Sequence, residues 1–214
     1  MFTIYIYLPD TLADWELGHI TAELQLRRFF KKDAPHLELK TVGYCREPVR
    51  TMGGLTVVPD CAVGDIATGE KSVLLLPGAN TWSDPRHGAI IEKAGEFLAA
   101  GAAVGAICGA TAALAGAGLL DDRPHTSNGP GFLEAAVPGY RGQRFYVDAP
   151  SVADGGLFTA SCTGALLWAR QILSYLGVFE ADTLAAWYAY FSTGAPEHFF
   201  ALMRSVAAAQ KPLL

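Results

Sequence analysis

The chain carries little charge and no strong bias of sign. Charged residues are 17% of its 214, and the net charge is −5. A chain so composed offers no broad basic surface for a phosphate backbone, which argues against a nucleic-acid partner. Its one basic cluster, Arg27, Arg28, Lys31 and Lys32, closes an expected helix, where cations complement the macrodipole. Cysteine is scarce too. Cys45, Cys61, Cys108 and Cys162 show no paired spacing, so neither a zinc module nor a disulfide framework is expected, and a reducing cytoplasm fits. No metal and no organic cofactor is indicated. The opening Met1-Phe2-Thr3-Ile4-Tyr5 lacks a basic leader or a cleavable apolar segment, so export is not expected. Repeats and low-complexity linkers are missing, and the length suits one domain over 1–214.

Charge is also missing locally. Leu98 to Leu120 contains no charged residue, a run long enough to cross a bilayer. It even places Gly101, Gly105 and Gly109 at the spacing of a helix-pairing motif. The run is mostly Ala and Gly, however, which contribute little to membrane transfer, and no membrane partner is expected.

What the sequence has in plenty is apolar residues, 51% of the chain, a share that suits a sheet covered on both faces. Phe2 to Leu8, Leu37 to Val42, Met52 to Val58 and Ser72 to Leu76 read as strands. So do Phe145 to Val147 and Val152 to Ala160, the latter broken at Asp154-Gly155-Gly156. Helices are expected from Leu12 to Phe30, Pro85 to Ala99, Thr163 to Leu176, Ala181 to Phe191 and Pro196 to Ala209. Asp84 would cap the second of these, with Pro85 at its first position. Alternation of this kind means βαβ units and a parallel sheet, whose ligands bind beyond the carboxyl ends of the strands. The grouped Trp187, Tyr188, Tyr190 and Phe191 read as core or dimer interface rather than as a ligand box.

At the centre lies Gly105-Ala106-Ile107-Cys108-Gly109-Ala110-Thr111. An apolar run precedes it and a helix-compatible run follows, so the cysteine falls on an abrupt strand-to-helix turn. The small residues Ala106, Gly109 and Ala110 flank it at two before, one after and two after, as a nucleophile elbow requires. A helix N-terminus should also lower the thiol pKa. The competing reading is a small buried hydrophobe. The loop after the first strand, Pro77-Gly78-Ala79-Asn80 and Cys108 would all meet at one end of the sheet, which favours the elbow.

These residues carry a likeness. Asp14-Trp15-Glu16-Leu17-Gly18 after the first strand, the strand end Leu74-Leu75-Leu76-Pro77-Gly78, and the elbow Ala106-Ile107-Cys108-Gly109 resemble the superfamily of PfpI-type intracellular proteases and the Parkinson-associated deglycase. Gly118-Leu119-Leu120-Asp121 and Thr159-Ala160-Ser161 are similar to its later motifs. The resemblance covers about residues 2–177, leaving 178–214 as a helical extension. It implies a flavodoxin-like three-layer α/β sandwich, commonly a homodimer, of class I glutamine amidotransferase type. It implies Cys108 as nucleophile and Glu16 as the carboxyl that donates a hydrogen bond to its sulfur. A carboxyl buried beside a thiolate stays neutral more readily. An acidic residue in a first helical turn is also favourable for dipole reasons alone. Gly78, Ala79 and Gly109 match the backbone of an oxyanion hole. Ala79 stands where relatives often have a second glycine.

The histidine is where the pattern departs. Thr126-Ser127-Asn128 puts Asn128 at the catalytic position, with His125 three residues earlier as the other candidate. Asparagine orients but cannot shuttle protons near neutral pH. Two classes of function follow. One is a cysteine-dependent enzyme acting on a small amide or carbonyl substrate, an amidase or a deglycase of aldehyde adducts. The other is a stress-protective sensor or chaperone-like protein without turnover, in which Cys108 is oxidised and Cys162 is either a resolving thiol or plain core.

Overall fold

The computed structural model describes residues 1–209. Residues 210–214, the end of the expected C-terminal extension, lie outside the described residues. In chain order the elements are β1 (Phe2–Tyr7), α1 (Asp14–Leu26), β2 (Leu37–Gly43), β3 (Val49–Arg50), β4 (Thr56–Val57), β5 (Cys61–Ala62) and β6 (Ser72–Leu76). There follow α2 (Gly88–Ala99), β7 (Ala103–Ile107), α3 (Gly109–Gly116), α4 (Phe132–Ala136), β8 (Ser151–Asp154), β9 (Leu157–Ala160), α5 (Ala165–Leu176), α6 (Ala181–Thr193) and α7 (Pro196–Ala209). Seven strands form one sheet in the order β5-β2-β1-β6-β7-β9-β8. All neighbours are parallel except β8, which pairs antiparallel with β9.

The central strands β6, β7 and β9 and most of β1 are buried on both faces, and strand alternation sorts their side chains into two cores. Ile4, Ile6, Val73, Leu75, Ala103 and Ile107 face a core shared with α1, α5, α6 and α7. Tyr5, Tyr7, Leu74, Leu76, Val104 and Ala106 face the other, shared with α2, α3 and α4. This is the expected flavodoxin-like three-layer α/β sandwich. Gly105 matters to its packing, since a Cβ there would lie 2.7 Å from a ring carbon of Trp168 and 2.9 Å from Leu75. Glycine lets the indole approach β7 closely, and Trp168 Nε1 donates to the Phe158 carbonyl of β9 (3.1 Å).

The charge-free run is divided between the end of α2, the buried β7 and α3. No helix among the described residues is long and apolar enough to cross a membrane.

Local readings needed correction in three places. The helix expected from Leu12 to Phe30 is shorter. Its start is held back because Leu12 bridges Ala79 and Ala13 N–H bonds the Gly78 carbonyl (2.9 Å). It ends at Arg27, which takes the left-handed φ of 53° and donates to Glu23 O. Met52 to Val58 is not one strand: Thr51–Gly54 is a tight turn, with Gly54 at φ 83°, joining β3 to β4 outside the main sheet. Phe145 to Val147 is not a strand either. A single 3-10 turn over Gln143–Phe145 precedes a lone bridge between His125 and Tyr146. The short β5 and α4 carry no pattern long enough to be read in advance. Trp187 is fully buried core, and its indole donates to Glu23 Oε1 (3.1 Å), tying α6 to α1.

Candidate active site

Three chain segments meet beyond the carboxyl ends of β1, β6 and β7. Between β7 and α3, Cys108 takes φ 57° and ψ −126°, a backbone conformation that costs a side-chain-bearing residue about 1–3 kcal/mol. The surroundings enforce it. Cys108 N–H donates to Ala160 O (2.9 Å), prolonging the pairing of β7 with β9. Its carbonyl accepts from Thr111 N (3.1 Å) and Thr111 Oγ1 (2.6 Å), and that hydroxyl also bonds Ser127. The thiol stands at the mouth of the helix, half-buried.

Glu16 lies in the first turn of α1 and is fully buried. Gly78 holds it from the neighbouring loop, its N–H donating to Glu16 Oε2 at 2.6 Å. Among the described residues, the second oxygen, Oε1, has no partner within hydrogen-bonding geometry. That oxygen and Cys108 Cβ converge on one point: a Cβ on Gly78 would lie 2.9 Å from the first and 2.8 Å from the second. The carboxyl and the thiol are therefore neighbours, separated by a space that only glycine leaves open.

Asn128 completes the arrangement. Its Nδ2 donates to Cys108 Sγ at 3.3 Å, and its Oδ1 accepts from Cys162 N–H at 2.9 Å. The second bond fixes which end of the amide faces sulfur. His125 is placed elsewhere. It is fully buried, with Nδ1 on the Arg123 carbonyl (2.7 Å) and Nε2 on the Tyr140 hydroxyl. Burial pushes its pKa down. With both ring nitrogens engaged, His125 holds a loop together and does not reach the cysteine.

The backbone amides divide differently from the expectation. Gly78 N–H is committed to Glu16, and Gly109 N–H points at the sulfur. The bridge between Leu12 and Ala79 is carried by their neighbours, as in Ala13 N to Gly78 O. That leaves the Ala79 N–H outside the bridge's own bonds. Trp82 was not among the expected site residues. Its Cδ1 would lie 3.3 Å from a Cβ on Gly109, and Nε1 bonds the Pro77 carbonyl (2.9 Å), so the indole walls one side of the site. A tryptophan in an irregular loop gives no periodic signal of what it faces.

The electrostatics also correct the expectation of a lowered thiol pKa. Burial pushes Cys108 up to about 11. The Asn128 amide and the Gly109 N–H act against this, while the nearby Glu16 charge adds to it. Burial likewise raises Glu16, although the Gly78 N–H lowers it. Desolvation outweighs the helix terminus here because α3 is short and the thiol is half-buried beside a fully buried carboxyl. No group of three or more His, Cys, Asp or Glu side chains among the described residues could hold a metal ion.

Comparison with known proteins bears on the family and the fold. The DJ-1/PfpI family model matches residues 2–175. The chain belongs to the DJ-1/PfpI family. A Bacillus subtilis relative named as the uncharacterized protease YoaZ is 41% identical over 203 residues, covering 95% of this chain and 97% of its own. The crystal structure of a ThiJ/PfpI family protein from Bacillus anthracis superposes with a TM-score of 0.92 at 43% identity, covering 96% of this chain and 98% of that one. A DJ-1 superfamily protein of Agrobacterium tumefaciens superposes with a TM-score of 0.77 at 30% identity, covering 91% and 99%.

Proposed function

We propose that this DJ-1/PfpI chain is a cysteine-dependent enzyme acting on small carbonyl or amide substrates through Cys108, with Glu16 as its proton partner. The observation that carries this is the meeting of a strained, half-buried thiol with a buried carboxyl oxygen that has no other partner. Moving the thiol proton to Glu16 Oε1 makes a thiolate without placing two negative charges side by side, which is what the raised pKa of each group resists. The thiolate then attacks a carbonyl carbon. The new oxyanion rests on Ala79 N–H and on Gly109 N–H, with Asn128 steadying the sulfur.

Asn128, in place of a histidine, cannot protonate a departing amine near neutral pH, which leaves that task to the buried Glu16 carboxyl. Substrates whose carbonyl reacts without expelling an amine, reactive aldehydes and their adducts, suit the site best. Simple amides come next and whole proteins last. We further assign the chain to the cytoplasm as a homodimer of single-domain subunits, with residues 178–209 as an appended helical element. The test is turnover of small aldehydes and glutamine-like amides by wild type and by Cys108→Ser. Turnover lost in the variant supports the reading. A Cys108 inert to iodoacetamide at every pH at which the fold persists overturns it.

A second reading draws on the same raised thiol: a sensor whose sulfur oxidises and is held by Glu16 and Asn128 without turnover. Peroxide-dependent oxidation of Cys108 with no substrate consumed would select it.

A further inference from the structure

Cys162 lies two residues past the end of β9, and Cys108 one residue past the end of β7. These strands are parallel neighbours, with Ile107 opposite Ala160, and Cys108 N–H still bonds the Ala160 carbonyl. Adjacent strands run about 5 Å apart, and Ile107 and Ala160, the last residues of these strands, stand one such spacing apart. That separation falls in the range a disulfide spans, ~4.4–6.8 Å between Cα atoms.

The contacts of Asn128 give a second, independent measure. One side-chain amide reaches from Cys108 Sγ (3.3 Å) to Cys162 N (2.9 Å). A single planar group therefore fills the gap between the sulfur and the backbone of the second cysteine. Asn128 is exposed, so it can swing outward and vacate that gap. Cys162 sits in the turn closed by Gly164 N–H on the Ser161 carbonyl (2.8 Å). That turn is pressed against β8's approach, since a Cβ on Gly164 would overlap the Pro150 carbonyl. Both thiols are free and partly accessible.

We propose that Cys162 is a resolving thiol that closes a reversible disulfide with Cys108 after a hydroperoxide oxidises it. The inference rests on the reading of Cys108 as a reactive sulfur. In the first step the Cys108 thiolate attacks the peroxide. An S–O bond forms, the O–O bond breaks, the sulfur loses two electrons, and water or an alcohol leaves. In the second step Cys162 sulfur attacks the sulfenic sulfur. The S–S bond forms, hydroxide departs and is protonated to water. Asn128 loses its sulfur acceptor and the nucleophile is held in store. A small-molecule dithiol returns both sulfurs to thiols by exchange.

The test treats the full chain, in a Cys45→Ser background that removes the exposed cysteine, with hydrogen peroxide. Non-reducing peptide mapping by mass spectrometry follows, with iodoacetamide labelling of the reduced protein as the control. A linked Cys108–Cys162 peptide, cleared by dithiothreitol, is expected. Irreversibly oxidised Cys108 should be about tenfold more abundant in Cys162→Ser and Cys162→Ala than in the parent. Equal sulfinic acid in all three proteins, with no linked peptide, overturns the proposal while leaving Cys108 as a nucleophile. Failure of the iodoacetamide control instead overturns the reading beneath it.

Discussion

Gly78 N–H donates to Glu16 Oε2 at 2.6 Å, and that bond aims the other carboxyl oxygen toward Cys108. The glycine is thus the anchor of the proton partner rather than a free oxyanion donor. Glu16→Gln keeps the shape and removes the charge. Because that charge raises the thiol pKa, the Cys108 titration, read by iodoacetamide labelling against pH, should move down from about 11. Turnover should nevertheless fall by about 10²–10⁴-fold, since the amide accepts no proton. A thiol that labels more readily while the enzyme slows is the signature of a proton partner. Parallel loss of both would mean that Glu16 only props the fold.

The bond from Asn128 Nδ2 lowers the thiol pKa, so Asn128→Ala should move the titration upward. A hydrogen bond to a charged group is worth about 1.5–3 kcal/mol, or roughly 1–2 pH units. Labelling at pH 8 should slow by about 10-fold or more. Unchanged labelling would remove Asn128 from the site's chemistry. Asn128→His should restore a proton shuttle only if its ring takes up the orientation that Cys162 N–H now imposes, so a gain in amide turnover would have to appear as a new limb near the histidine pKa.

Much of this was legible in the residues. Alternating apolar runs such as Phe2–Tyr7 and Ser72–Leu76 predict strands buried on both faces, and small residues around Cys108 predict the elbow, because sterics act locally. Tertiary decisions were less visible. The start of α1 is set by Ala79 and Gly78, far along the chain, and the hairpin of β3 and β4 depends on a turn within an apolar stretch. The role of His125 depends on Tyr140 and the Arg123 carbonyl, neither of which declares itself in sequence. The sign of the thiol shift is likewise a property of burial, which a helix-terminus argument made residue by residue does not contain.

Two glycines are expected to be intolerant for different reasons. Gly78→Ala would drive a methyl within 2.9 Å of Cys108 Cβ and both Glu16 oxygens. Gly105→Ala would do so against Trp168 and Leu75. Overpacking costs about 1–3 kcal/mol, so both should lower the urea midpoint. They separate on chemistry. Gly78→Ala should abolish Cys108 turnover even where it is folded, whereas Gly105→Ala should leave the folded fraction active.

Alkaline stability provides the last check, and its sign is fixed by the direction of the shift. The Cys108 pKa is raised from 9.0 to about 11 in the folded protein, so the unfolded chain releases its thiol proton first. The associated stability is complete below pH 9.0 and is lost as pH climbs to about 11. Tyr140, pushed up to about 12 by burial, adds a similar loss at higher pH. Wild type minus Cys108→Ser isolates the thiol, because serine does not titrate in this window. Urea unfolding at intervals from pH 8 to 11 should show wild type losing about 1–2 kcal/mol relative to the variant, less than the full two-unit shift because the thiol is only half-buried and solvent screens it. A flat difference would mean that the folded thiol titrates like a free one and that the site is wetter than its packing implies. A difference of the opposite sign would restore the helix N-terminus as the dominant influence on Cys108.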